Sequence, residues 1–389
     1  MDVINGFSRR IKRYQFSICT YFDGFLYFFS NFSSLGMKMD LITNRITYIE
    51  KSKNDICENP DTVDGIEIVN GKLCILGIKG DCVCTCDLGG VGYNRITIDC
   101  SEKEWGNYTA YTSYKENVYI FPRYRRCIIK LNVHTQKVEY ITELYKEVEQ
   151  YILQKNWDYC EFVQGCKVGT AMWLLSENGK LLVSYDMKNG ETKIYELPYS
   201  ITNCQQLVYA NEKFYFLVGN GTVYTWNFQK IDTLFTIEDT CDKEYEFCRL
   251  AVTRQKIYVL PFLGNDIWVY NRKNEKVEKF ETYPQEFEYL APKGWSKYYG
   301  YCENEQYYFF AMRSMNYLLK VNKNSGQSDW IKPILPSIEE EFEVYSRTEN
   351  SMFREDVWDM NEYLHIISLK KDSYVNNTER IGEKIWKRM

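Results

Sequence analysis

Histidine is almost missing from this chain: 389 residues carry two, His134 and His365. That count excludes a metalloenzyme built on several imidazoles. A dyad using His365 is the imidazole chemistry that remains, and a strand histidine packed against its neighbours is the plainer reading. Proline is scarce, with 8 residues, and no Gly/Pro/Ser-rich linker divides the chain. No apolar run approaches the ~20 residues of a membrane-spanning helix. The richest stretch, from Phe16 to Phe29, is split by Asp23-Gly24 and reads as a hairpin, so no membrane insertion is expected. A basic excess is absent as well. The net charge is −5 and the pI is near 5.5, which argues against a nucleic-acid partner. The first residues, MDVINGFSRRIKRY, lack the apolar core of a secretory signal. Fourteen cysteines without such a signal predict a reducing, cytoplasmic setting in which thiols serve as small hydrophobes. Phosphate-cradling glycine loops, serine elbows and nucleotide motifs are also missing, and no cofactor is expected.

Aromatic residues are abundant: 34 Tyr, 21 Phe and 9 Trp. Such side chains suit the half-buried pleated surface of a strand. They recur in a pattern that runs along the whole chain. Each unit has a short strand, a tight polar turn, an aromatic-aliphatic strand, a gap, a strand ending near Asp or Asn, another tight turn and a last strand. First hairpins read FSICTYFDGFLYFFS from Phe16, GIEIVNGKLCILG from Gly65 and AYTSYKENVYIFP from Ala110. Later copies begin at Phe162, Gln206, Arg249, Tyr299 and Val357. Asp23-Gly24, Asn70-Gly71, Asn211-Glu212 and Asn361-Glu362 mark the turns, where φ > 0 is tolerated.

A lone four-stranded sheet cannot bury both faces, and radial stacking of such sheets does so while leaving short edges. The fold class is therefore all-β, a β-propeller of four-stranded antiparallel blades. A β-sandwich would not give so regular a period. Units start near residues 15, 65, 109, 160, 205, 247, 298 and 355, within one domain over 1–372. Eight first hairpins and seven second hairpins are visible, so eight blades are favoured, with seven the alternative. The polar tail 373–389 is a candidate closing strand. One helix is predicted, over 141–155, with apolar residues at Leu144, Val148, Tyr151 and Ile152.

Two segments, VYIFPRYRRCIIKLNVHTQKVEYI from Val118 to Ile141 and IYVLPFLGNDIWVYNRKNEKVEKF from Ile257 to Phe280, carry a resemblance. Their repeat resembles Kelch-like and YVTN (YncE-like) propeller repeats, which implies a propeller fold and no particular activity. The chain departs from the Kelch signature, since its one double glycine, Gly89-Gly90, follows a second-hairpin strand. WD40 repeats and the sialidase Asp box are not matched either.

The sharpest charged feature is the loop P-R-Y-R-R, with Arg123, Tyr124, Arg125 and Arg126. Inter-strand loops line a propeller face, where guanidiniums can clamp carboxylate, phosphate or sulfate and Tyr124 can stack on a ring. A solvated loop is the plainer alternative. Trp105, Trp157, Trp295 and Trp358 each precede or enter a first strand, where indoles can meet a ligand or simply fill gaps between blades. Cys82, Cys84 and Cys86 form C-x-C-x-C on one strand face. Three thiolates can bind zinc, yet a flat strand does not wrap a tetrahedral ion, so small apolar packing is preferred and no metal is expected. Asp64, Asp99, Asp158, Asp242, Glu303 and Asp356 lie near unit starts without singling out a catalytic pair. The expected function is thus a non-catalytic binding or scaffolding protein recognising a protein or glycan on one face of the disc. A lyase or hydrolase acting on polysaccharide, using carboxylates near the channel, is the alternative. Residue usage rich in Lys, Asn, Ile and Tyr points to an AT-rich bacterial genome.

Overall fold

In the computed structural model, the described residues are 16–30, 33–49, 63–77, 82–98, 108–159, 161–238, 247–262, 266–284, 298, 300–312, 317–337 and 340. Strand formation follows the aromatic and β-branched runs. In the second strand of the third sheet, Asn117–Pro122, the run Val118 to Phe121 is buried on both faces. The outer strand, Val138–Ile141, is half-buried and carries charge. A strand buried on two sides needs a neighbour on each, and every sheet obtains them by stacking.

Seven four-stranded antiparallel sheets form, each from four strands consecutive in sequence. We number these blades one to seven; they cover 16–48, 63–97, 108–141, 162–196, 204–236, 247–279 and 300–331. Type I′-like turns close the first hairpins of blades one and two, with Asp23 and Gly24 at φ 47° and 81° and Asn70 and Gly71 at φ 49° and 74°. The second hairpins turn on an Asp or Asn at the end of the third strand. Asn322 Oδ1 accepts from the N–H groups of Asn324 and Ser325, both at 2.9 Å. Asn132 does the same for His134 and Thr135, and Asp40 for Ile42 and Thr43. These side chains satisfy turn donors that no ladder reaches.

The core is seven separate clusters, one in each seam between neighbouring blades. One second-strand position reaches across every seam: Tyr27, Cys74, Tyr119, Trp173, Tyr215, Tyr258 and Phe309, all buried. Where it is tyrosine, the hydroxyl can bond the next blade. Tyr258 donates to Gly326 O at 2.7 Å, Tyr119 to Met187 O at 3.3 Å, and Tyr215 accepts from Arg272 Nη2 at 2.8 Å.

The seam between blades seven and one corrects the favoured count of eight. Cys302, Phe309, Ala311, Leu318 and Ile331 pack against Cys19, Leu26, Phe28, Met37 and Met39. Ile46 N–H donates to Ile334 O at 2.8 Å and Ile334 N–H to Asn44 O at 2.7 Å. The described ring therefore closes at seven blades, since blades seven and one already cover each other's open faces. Neither borrows a strand: blade one takes all four from 16–48 and blade seven from 300–331. The unit starting near 355 and the candidate closing strand in 373–389 lie outside the described residues.

Chain order also fixes two faces. Each sheet runs from inner to outer strand, so second-to-third loops and blade-to-blade connections emerge together on one face, here called the connector face. Tight hairpin turns emerge on the other. Helix α1 (Glu143–Gln154) sits on the connector face between blades three and four, burying Leu144, Tyr145, Val148 and Ile152 against Phe121, Ile128, Phe162 and Leu181.

Replacing Tyr258 by Phe removes one inter-blade hydrogen bond and is expected to cost about 1 kcal/mol. Tyr258→Ala also empties the seam and is expected to cost about 3–5 kcal/mol. Asn322→Ala, which strips a turn of its acceptor, is expected to cost about 1 kcal/mol. Urea unfolding checks the order; equal costs for the two Tyr258 variants would contradict this account of the seam.

Candidate functional site

The arginine loop, residues 123–127, joins the second and third strands of blade three on the connector face, facing α1 and the neighbouring loop of blade four. Arg123 Nη2 meets Glu177 Oε1 of blade four at 2.9 Å, and its guanidinium carbon lies 5.4 Å from the Tyr124 ring centre. Arg126 Nη1 meets Glu149 Oε1 of α1 at 3.2 Å, and its guanidinium stacks 3.9 Å above the ring of Tyr159. The Arg126–Glu149 pair is exposed and the Arg123–Glu177 pair is half-exposed, so each is weak and exchangeable. Within this patch Arg123 Nε and the Tyr145 hydroxyl are buried with no hydrogen-bond partner among the described residues. Burial pushes the Tyr145 phenol up, which keeps it neutral and able to donate.

Trp157 follows α1 and packs on the same cluster. Lys180 lies 4.8 Å from its ring centre and Lys155 lies 5.9 Å away. Lys155 in turn pairs with Glu196 at 2.6 Å, to which the Tyr151 hydroxyl also donates. Tyr124 and Leu153 add exposed apolar surface nearby. Arg123, Tyr124, Arg126 and Trp157 are thus brought to one seam; Arg125 lies in the same loop. Trp105, Trp295 and Trp358 lie outside the described residues.

Other candidates resolve differently. Cys82, Cys84 and Cys86 are buried in blade two, with Cys84 and Cys86 inside the seam facing blade one. Burial pushes the Cys86 thiol up to about 11, so it packs in the seam as a neutral thiol. No cluster able to hold a metal occurs among the described residues. His134 sits in a second-hairpin turn, with Nε2 3.5 Å from Asn70 Nδ2; His365 lies outside the described residues. Of the carboxylates, Glu303 pairs with Lys323 at 2.5 Å and Asp158 is exposed. Asp99, Asp242, Asp356 and the side chain of Asp64 lie outside the described residues.

Two features escaped sequence reading. Trp173, Tyr195, Phe214, Trp226 and Phe228 form a knot at the seam of blades four and five, with Trp173–Phe214 ring centres 4.8 Å apart and Trp226–Phe228 4.9 Å apart. Phe228 caps it from a hairpin turn at φ 71°, an unusual conformation for a bulky residue. The second is Glu67, on the inner strand of blade two. Ser113 Oγ of blade three donates to its Oε1 at 2.7 Å, and Lys167 Nζ of blade four donates to Ser113 O at 2.7 Å. Burial pushes the Glu67 carboxyl up despite the hydroxyl and the nearby Lys167 charge. Both features draw on several units, and a single-sequence pass sees only one at a time.

No family model matches the chain, and no curated protein sequence does. Among solved structures it is similar to a catalytically inactive histidine-to-alanine variant of virginiamycin B lyase from Staphylococcus aureus with quinupristin. Identity there is 12% with TM-score 0.56, over 79% of this chain and 94% of that one. It is also similar to YCF48 bound to D1 peptide, at 8% identity and TM-score 0.56, over 80% of this chain and 93% of that one. The computationally designed Ika8 protein matches at 10% identity and TM-score 0.51, over 83% and 89%. Likeness at this level supports the β-propeller fold and nothing finer.

The Glu67 carboxyl gives a pH prediction. A folded-state pKa above the unfolded one stabilises the fold at low pH and loses that stabilisation as pH rises through the folded value. Wild type should therefore lose stability relative to Glu67→Gln as pH rises above about 4.5. Thermal unfolding of both across pH 4–7 checks this, and a constant difference would contradict it.

Proposed function

We propose that this chain is a non-catalytic binding or scaffolding propeller that recognises a protein partner on its connector face. The observation that carries the reading is the patch at the seam of blades three and four. There Arg123 and Arg126 lie against Tyr124 and Tyr159 and hold exposed, exchangeable carboxylates. A peptide that offers its own acidic side chains or carbonyls can displace Glu177 and Glu149 from the guanidiniums. Tyr124 and Leu153 supply apolar contact, and aromatic and Arg anchors of this kind dominate protein interfaces. The solved YCF48 structure contains a bound peptide, which supports peptide recognition as a use of this architecture. Arg125 belongs to the same loop; Trp105 and Trp295, in the segments between blades two and three and between blades six and seven, and Trp358, which follows blade seven, are proposed as further partner contacts beyond this patch. The reading includes a cytoplasmic location, in keeping with cysteines such as Cys74 and Cys204 that pack as small apolar residues within the seams.

Peptides selected against the intact chain by display, then titrated calorimetrically, test the reading. The double variant Arg123→Ala/Arg126→Ala is expected to weaken the selected peptides about tenfold or more while leaving the fold intact. Trp157→Ala should weaken them less. Unchanged affinity in the double variant would place the partner elsewhere. Selective capture of oligosaccharides with no peptide binder would favour a glycan instead, and turnover of a bound polysaccharide would overturn the non-catalytic reading.

A further inference from the structure

Six of the seven seams join blades that follow one another in the chain. The seam between blades seven and one does not; within the described ring it is held by packing, a short backbone bridge and the Arg45–Glu340 ion pair. Cys19 lies on the first strand of blade one, Phe16–Phe22, and Cys302 on the first strand of blade seven, Gly300–Glu303. Both are buried and belong to the same seam cluster. Their side chains point at each other from adjacent inner strands, with the thiols within hydrogen-bond reach. The other described cysteine groups lack this combination. Cys82, Cys84 and Cys86 share one strand, and Cys166 and Cys204 flank a seam that the chain itself already ties.

We propose that Cys19 and Cys302 are a disulfide-forming pair that locks the propeller ring covalently at its one unconnected seam. The oxidant is a low-molecular-weight disulfide. One cysteine thiolate attacks it, forming a mixed disulfide and releasing one small thiol. The second thiolate attacks the protein sulfur of that mixed disulfide, forming the Cys19–Cys302 bond and releasing the second small thiol. The two cysteines lose two electrons and two protons, and the small disulfide takes them up as two thiols. The bond would close a loop through almost the whole ring, and a long loop is where a cross-link constrains the unfolded chain most. Burial and the neighbouring Cys19 and Glu303 push the Cys302 thiol well up, so little thiolate is present in the closed ring. The exchange therefore proceeds through transient opening of this seam, and reducing conditions leave the pair as thiols.

The test incubates the intact chain with oxidised glutathione or with dithiothreitol under native conditions. Free thiols are then blocked, and a non-reducing digest is mapped by mass spectrometry. The expected result is a cross-linked peptide pair containing Cys19 and Cys302 in the oxidised sample alone. With it, Tm should rise by about 5 °C relative to the reduced sample. Cys19→Ala and Cys302→Ala should each abolish that rise, and Cys84→Ala should keep it. Both cysteines blocked and uncross-linked after oxidation, or Cys19 found joined to a different cysteine, overturns the proposal. Should an alanine variant fail to fold, the peptide map of the unaltered chain decides alone.

Discussion

Every blade has two apolar faces, and each face must be covered by another blade. This constraint organises the rest of the molecule. Burying one large aromatic side chain contributes roughly 1.5–3 kcal/mol; six of the seven seams bury two or more together with aliphatic residues, and the seam between blades two and three is aliphatic. An open stack of sheets would leave two such faces in water. Blades one and seven remove that cost by packing on one another. The reach of Tyr119, Tyr215 and Tyr258 shows the same logic at one position, since the ring fills the seam while the hydroxyl bonds the next blade. The turns, by contrast, are solved within each hairpin, by residues such as Asn132 and Asn322.

The ring also explains why the candidate site sits where it does. Loops of the connector face are anchored at both ends in buried strands, so they can carry charge without organising a core. The arginine loop is held this way, between Phe121 and Ile128, both fully buried. Helix α1 adds a wall beside it, and the salt bridges to Glu149 and Glu177 tie the loop to two different elements. Arg123 and Arg126 are thereby placed on a rigid platform while their carboxylate partners stay solvent-exposed, an arrangement suited to exchange with a ligand.

Much of the fold was legible in the sequence because its signals are local. Asp23-Gly24 and Asn70-Gly71 mark hairpins by their backbone conformation alone, and the buried face of α1 follows from the spacing of Leu144, Val148 and Ile152. Blade count was not local. Counting hairpins gave eight, while closure depends on whether Phe309 meets Leu26 across the ring. The site was half legible. The run of arginines stands out in the chain, but Arg123 finds Glu177 and Arg126 finds Glu149 only through packing of blades three and four. The knot around Trp173 and the Glu67–Ser113 contact fall in the same class, since their members come from neighbouring blades.

Direct packing of the first blade on the last is the claim on which the other features rest. Native-state hydrogen exchange measures it most directly, by comparing amides of the second strand of blade one, Phe25–Ser30, with those of the second strand of blade six, Lys256–Pro261. A closed ring of seven predicts that both exchange through opening events of similar free energy, since both strands are covered on two sides. Blade-one amides that exchange far more easily, as in a sheet with one face in water, would contradict closure between blades seven and one.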